Sequence, residues 1–202
     1  MTSLLARFGM HSERFVTTDG RIVFSGVSAT PSGAQVHDRF GHVTQVPSHT
    51  FHGGIAEPND PDPEVVWWED EVELARHTDA MALAFPAFTF MPAQDGMNPC
   101  WIGQIDTGRG AFSVAIIVRR DNGLPAARVL GGARLGAYEG RRWVNSPHLY
   151  LNGNLCIAAQ DDWKAHEHTA ATATLWAAHW LAAFTEWRIS HRWPVDGVRL
   201  VA

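Results

Sequence analysis

An α+β fold is predicted for this chain of 202 residues: a helix, a meander of about four antiparallel strands, a cysteine-bearing loop and a long second helix, behind an N-terminal extension. Three observations predict it. Glu69, Asp70, Glu71 and Glu73 gather at the front of a segment that runs to Phe85 before Pro86 stops it, and acidic residues in a first turn complement the helix dipole. Short runs rich in Val, Ile and aromatics follow, separated by turn-formers. From Thr169 to Ile189 the apolar spacing then lengthens to three or four residues.

The N-terminal extension, residues 1–64, is punctuated by Asp19-Gly20, Pro31-Ser32-Gly33 and Gly53-Gly54. Extended runs such as Arg21–Phe24 and Val43–Val46 lie between them, so loops with one or two short strands are expected. Pro58-Asn59-Asp60-Pro61-Asp62-Pro63 reads as a semi-rigid linker, and the main domain is placed at 65–202. Its strands are expected at Ala87–Met91, Trp101–Asp106, Ala111–Arg120 and Ala126–Leu130, with Asp121-Asn122-Gly123 as a hairpin signal. Residues 131–145, rich in Gly and Arg, read as a loop. In the last helix Thr172, Trp176, Trp180 (or His179), Ala183/Phe184 and Trp187 form one heavily aromatic stripe, expected to be core, and Pro194 and Gly197 end the segment.

Composition excludes several classes of function. The hydrophobic content of 46% against 18% charged residues supplies a core and argues against overall disorder. No run approaches the roughly 18 apolar residues of a membrane span, and Arg7, His11, Glu13 and Arg14 break up any leader at the start. A net charge of −5 with scattered arginines does not suit phosphate-backbone binding, so neither nucleic acid nor membrane is an expected partner. Two cysteines, Cys100 and Cys156, exclude a disulfide scaffold and a Cys-only zinc site, and fit a reducing cytoplasm. The pairs His166/His168 and His49/His52 lack the spacing of a zinc helix, so no metal is assigned.

The segment from Ser146 to Ile157, followed by Trp163, carries the most chemistry. Asn152-Gly153 makes a tight turn and Leu155 leads into Cys156 at a loop edge, beside His148, Asp161 and Asp162 in sequence. A nucleophilic thiol needs access and polar neighbours, whereas a structural one does not, and on that ground Cys100 between Pro99 and Trp101 is read as structural.

This segment resembles the active site of ubiquitin-conjugating enzymes. That family carries His-Pro-Asn, a short stretch containing Asn-Gly or Asp-Gly, Ile/Leu-Cys-Leu/Ile, and a Trp soon after. Here Ser146-Pro147-His148 stands at the tripeptide, Leu155-Cys156-Ile157 at the cysteine, and Trp163 is seven residues on. Leu124-Pro125-Ala126-Ala127-Arg128-Val129-Leu130 is similar to the family's Pro-Pro-Lys-Val strand, and the element order is the same. The likeness is closest to divergent bacterial members with His-x-Tyr-x-x-Gly-x-Leu-Cys, encoded beside ubiquitin-like conjugation or antiphage genes. His148 departs from the family's Asn, and the loop 131–145 is longer than the family's by about eight residues, as loops tolerate.

The resemblance implies a fold like that of ubiquitin-conjugating enzymes and a cytoplasmic acyl transferase that needs no cofactor. Its partners are a ubiquitin-like modifier, an activating enzyme and a target protein. Cys156 carries the modifier as a thioester, His148 supplies or supports an oxyanion donor, and Asp161 or Asp162 orients the incoming amine. Pro147, Tyr150, Gly153 and Trp163 are structural residues around the site. Two alternatives stay open at this stage: a catalytically silent binding module of the same fold, and a hydrolase using Cys156, His148 and Asp161.

Overall fold

The computed structural model describes residues 13–195, apart from 52, 54, 55 and 95. Expectations that fall on the leader up to His11, on His52, on Gly54 and on Gly197 lie outside the described residues. Strands β1 (Phe15–Thr17), β2 (Ile22–Val23), β3 (Val27–Ala29), β4 (Gln35–His37) and β5 (Gly41–Gln45) form one antiparallel sheet in the order β2-β1-β5-β4-β3. Helix α1 (Glu71–Ala84) precedes β6 (Thr89–Met91), β7 (Cys100–Asp106), β8 (Ala111–Ile117) and β9 (Ala126–Val129). A two-stranded hairpin, β10 (Gly136–Glu139) and β11 (Arg142–Asn145), leads to β12 (Asn154–Leu155), and α2 (Ala170–Ser190) closes the chain. The main sheet runs β12-β9-β8-β7-β6, antiparallel throughout.

The α+β architecture expected from the sequence pattern, and its likeness to the helix and four-stranded meander of the conjugating enzymes, are therefore corrected. The protein is mostly β, with three sheets of five, two and five strands against two α-helices among the described residues. The main sheet is curled and takes a fifth strand, β12, and the expected loop at 131–145 is a hairpin. The extension, expected to hold one or two strands, contributes a whole sheet. Its strands are two to five residues long, too short for alternation to stand out between turn-formers. The expected linker is pinned as well: Arg119 donates to the Pro58 and Asn59 carbonyls at 2.8 and 2.7 Å, Asp60 accepts from the Arg120 N–H at 2.8 Å, and Asp62 pairs with Arg120.

The N-terminal sheet is tied to the main one where β1 turns into β2. Gly20 adopts φ +91°, and a Cβ there would lie 2.7 Å from the Ile105 side chain, so only glycine fits. Asp106 N–H donates to the Asp19 carbonyl at 2.8 Å beside it. Val16, Val46 and Phe51 consequently join the same core as β7, β8 and α2. Helix α1 starts at Asp70, whose carboxylate accepts the Val72 N–H at 2.9 Å, as the acidic cluster suggested. Helix α2 is buried on nearly every side from Ala170 to Leu181, not along one stripe. Its alanines let α1 and the sheets approach closely, and a helix covered all round must be apolar all round. No helix among the described residues is long and apolar enough to cross a membrane.

The two helices meet through His77, which is 0% exposed and accepts the Ala170 N–H on Nδ1 at 3.2 Å. That acceptor exists only while the nitrogen is unprotonated. Burial, aided by Arg76, pushes the His77 imidazole down to about 4, and burial pushes that of His49 to about 4 as well. Both values lie below the ordinary 6.5, so the unfolded chain binds protons first. Their contribution to stability is complete above about pH 6.5 and is lost as the pH falls through about 4. The melting temperature should decline across that window, with a shallower slope in His77→Asn, whose amide oxygen can still accept. A melting temperature that stays level from pH 6.5 down to 4.5 contradicts this account.

Candidate active site

Residues 148–156 form a tight antiparallel turn, and its register follows from two local features. Gly153 takes φ +87°, which a side chain resists, and Asn154 N–H donates to the Asn152 side-chain oxygen at 3.0 Å. Tyr150 N–H then donates to the Asn154 carbonyl at 2.9 Å, Leu149 bridges Leu155, and Cys156 N–H donates to the His148 carbonyl at 2.9 Å. His148 thus stands opposite Cys156. Tyr150, two residues along from His148, belongs to the same face, since side chains alternate along an extended segment.

Each of these residues is held from outside the turn. The His148 carbonyl accepts a second hydrogen bond, from the Trp180 indole N–H at 2.8 Å, so α2 fixes the backbone opposite the cysteine. His148 itself has φ +55°, a left-handed conformation that only a few non-glycine types visit readily. Asn and His are both among them, which gives a backbone reason for either residue at this place. The His148 ring lies against Trp193 and Phe51, with ring centroids 5.0 and 5.8 Å away. Tyr150 is buried, its hydroxyl in hydrogen-bond contact with Cys156 and with Gln160; burial and then the thiol push its phenol well above the ordinary range.

The other expected residues lie further from the turn. Pro147 precedes His148 and accepts from the Ser146 hydroxyl at 3.1 Å. Asp161 and Asp162 sit on a 3-10 turn, Gln160–Asp162. Asp161 is exposed, while the Asp162 carboxylate accepts the Thr50 N–H at 2.7 Å. Trp163 donates to the Asn122 carbonyl at 2.8 Å and packs on Trp176 and His168, so it braces the β8–β9 connection against α2.

Exposure of the two cysteines runs opposite to what was expected. Cys156 is 0% exposed, whereas Cys100 on β7 is half-buried, with its thiol pushed up by desolvation. Several neighbours of the site carried no signal that tied them to it. Phe51, His49 and Glu57 come from the extension, and Glu57 accepts from the side-chain amides of Asn152 and Asn154, each at 2.6 Å. Their separation of about a hundred residues hides them from any motif.

As chemistry, the arrangement offers a thiol with a phenol at hand, a histidine directly across the turn and backbone carbonyls already engaged. A family model described as Type II CBASS E2 protein matches residues 77–200, more than half of the chain and the whole of this site. No curated protein and no solved structure matched the chain.

Proposed function

The chain belongs to the Type II CBASS E2 protein family, part of a bacterial antiphage defence system, and from that premise we propose that it is a conjugating enzyme with Cys156 as its acyl carrier. The observation that carries this reading is the register of the turn, which sets His148 across from Cys156 and brings the Tyr150 hydroxyl to the sulfur. The partners are a ubiquitin-like modifier, an activating enzyme and a target protein.

In the loading step the Cys156 thiolate attacks the activated C-terminal carbonyl of the modifier. A C–S bond forms as the activating enzyme's own thiolate leaves. In transfer, a target amine attacks that thioester and the oxyanion collapses with expulsion of the Cys156 thiolate, while the amine gives up a proton. Thiolate serves both as nucleophile and as leaving group, which suits a shuttle. The oxyanion needs a donor, and His148, whose backbone pairs with that of Cys156, is assigned to provide one or to hold the loop that does. Asp161, exposed at the following turn, is free of the contact that occupies Asp162 and is the better placed of the two to orient the amine.

A second reading is favoured by one specific observation, the complete burial of Cys156. In that reading the protein is a silent binding module and the cysteine packs as a small hydrophobe. Incubation with modifier, activating enzyme and ATP, followed by a non-reducing gel, separates the two. An adduct lost on adding a thiol, and mapped to Cys156, is expected. An adduct that persists in Cys156→Ala, or none at all with partners that charge another carrier, would remove the thioester role.

A further inference from the structure

We propose that residues 46–51 form an autoinhibitory strap that keeps Cys156 covered until a partner displaces it. The inference rests on the reading of Cys156 as an acyl carrier, and it accounts for a nucleophile that has no exposed surface.

The strap begins where β5 ends at Gln45; its Val46 N–H still donates to the Arg14 carbonyl at 2.8 Å beside β1, and among the described residues 47–51 belong to no strand. It is attached instead at separate points. The Pro47 carbonyl accepts from the Trp176 indole at 3.1 Å and from His49 Nδ1 at 2.9 Å. His49 Nε2 is 3.1 Å from His179 Nδ1, so with its own Nδ1 donating to Pro47 it accepts from the helix. Thr50 makes two backbone hydrogen bonds to the chain leaving the cysteine: its carbonyl accepts from Ala159 N–H at 2.8 Å and its N–H donates to the Asp162 carboxylate at 2.7 Å. Phe51, 1% exposed, then turns its ring against His148 and Trp193.

The strap therefore grips both sides of the cysteine. Thr50 holds residues three and six positions after it, and Phe51 rests on the residue opposite it. It also covers one face of the His148 ring, a group that the transfer reaction uses, and ties up the Asp162 carboxylate next to Asp161. A segment held by a few point contacts, with Ser48 and Thr50 exposed, is of the kind that opens locally while the sheet beneath stays folded.

Alkylation by N-ethylmaleimide, followed peptide by peptide with mass spectrometry, tests this on the full chain. Half-buried Cys100 is the internal reference. In the wild type Cys156 should react at least tenfold more slowly than Cys100. Phe51→Ala, which removes the ring over His148, and Asp162→Ala, which removes the acceptor for Thr50, should each raise the Cys156 rate at least tenfold and leave Cys100 unchanged. Equal rates for the two cysteines in the wild type overturn the strap, as does a Cys156 rate that neither variant moves. A parallel rise at both cysteines also overturns it, because that reports loosening of the whole fold. The readout involves no modifier. Strap opening without conjugation would sink only the enzymatic reading, and conjugation by a protein whose alkylation the variants do not change would sink only the strap.

Discussion

Trp180→Ala should lower stability by about 3–5 kcal/mol, the cost of emptying a large aromatic site in a core that cannot fully collapse. Trp180 is 0% exposed, stacked on Phe184 at a centroid distance of 5.5 Å and tilted against Trp193 at 5.6 Å. It also gives up a buried hydrogen bond to the His148 carbonyl. For a chain of this size that loss corresponds to a melting temperature lower by on the order of 10 °C. Trp180→Phe isolates the second role. It keeps most of the ring but cannot donate, so it should cost only about 1–2 kcal/mol while the His148 carbonyl keeps the Cys156 N–H alone. Thermal unfolding of the three proteins checks both numbers. Should Trp180→Ala melt like the wild type and yet lose conjugation, α2 presents this residue to a partner and the assignment to the core is wrong.

That experiment bears on what a sequence can reveal about such a helix. The tryptophans of α2 recur at helical spacing, and this periodicity located the helix. It did not disclose that the intervening Ala173, Ala177 and Ala178 are equally buried, because alanine is compatible with either a packed or an open face. Local geometry was legible in the same way. Asn152-Gly153 announces a turn, and a turn there fixes the register that sets Cys156 across from His148. Legibility ended where the contacts are distant. Nothing around Phe51 or Glu57 shows that they reach the cysteine loop, since a pairing across a hundred residues leaves no trace in either segment. In the N-terminal sheet β2 and β5 overlap the expected runs Arg21–Phe24 and Val43–Val46, but β1, β3 and β4 were missed for a different reason. Two or three residues cannot display alternation, and their pairing is set by the turns and by docking on β7.

His148→Ala should leave loading of Cys156 largely intact and slow discharge of the thioester to an amine by on the order of 10²–10³-fold, the effect of removing one oxyanion donor. The structure adds a complication that the substitution series must resolve. His148 holds φ +55°, where alanine is strained by roughly 1–2 kcal/mol, so Ala disturbs the backbone as well as deleting the ring. Glycine removes the side chain without that strain. Asparagine tolerates the conformation and still donates through its amide. A donor role therefore predicts that Gly is as slow as Ala and that Asn keeps much of the wild-type rate. A role for the backbone alone predicts that Gly and Asn both recover and only Ala is slow, because the His148 carbonyl that receives Cys156 and Trp180 is present in every variant. A base role predicts something else again. Asn cannot take a proton near neutrality, so it would be as poor as Ala, and the wild-type rate would fall as the pH drops through the histidine's own titration. We expect the donor pattern. Single-turnover discharge of the preformed thioester, measured for all four proteins from about pH 5.5 to 8.5, distinguishes the three patterns. Equal rates throughout would leave His148 as a residue chosen only for its place in the turn.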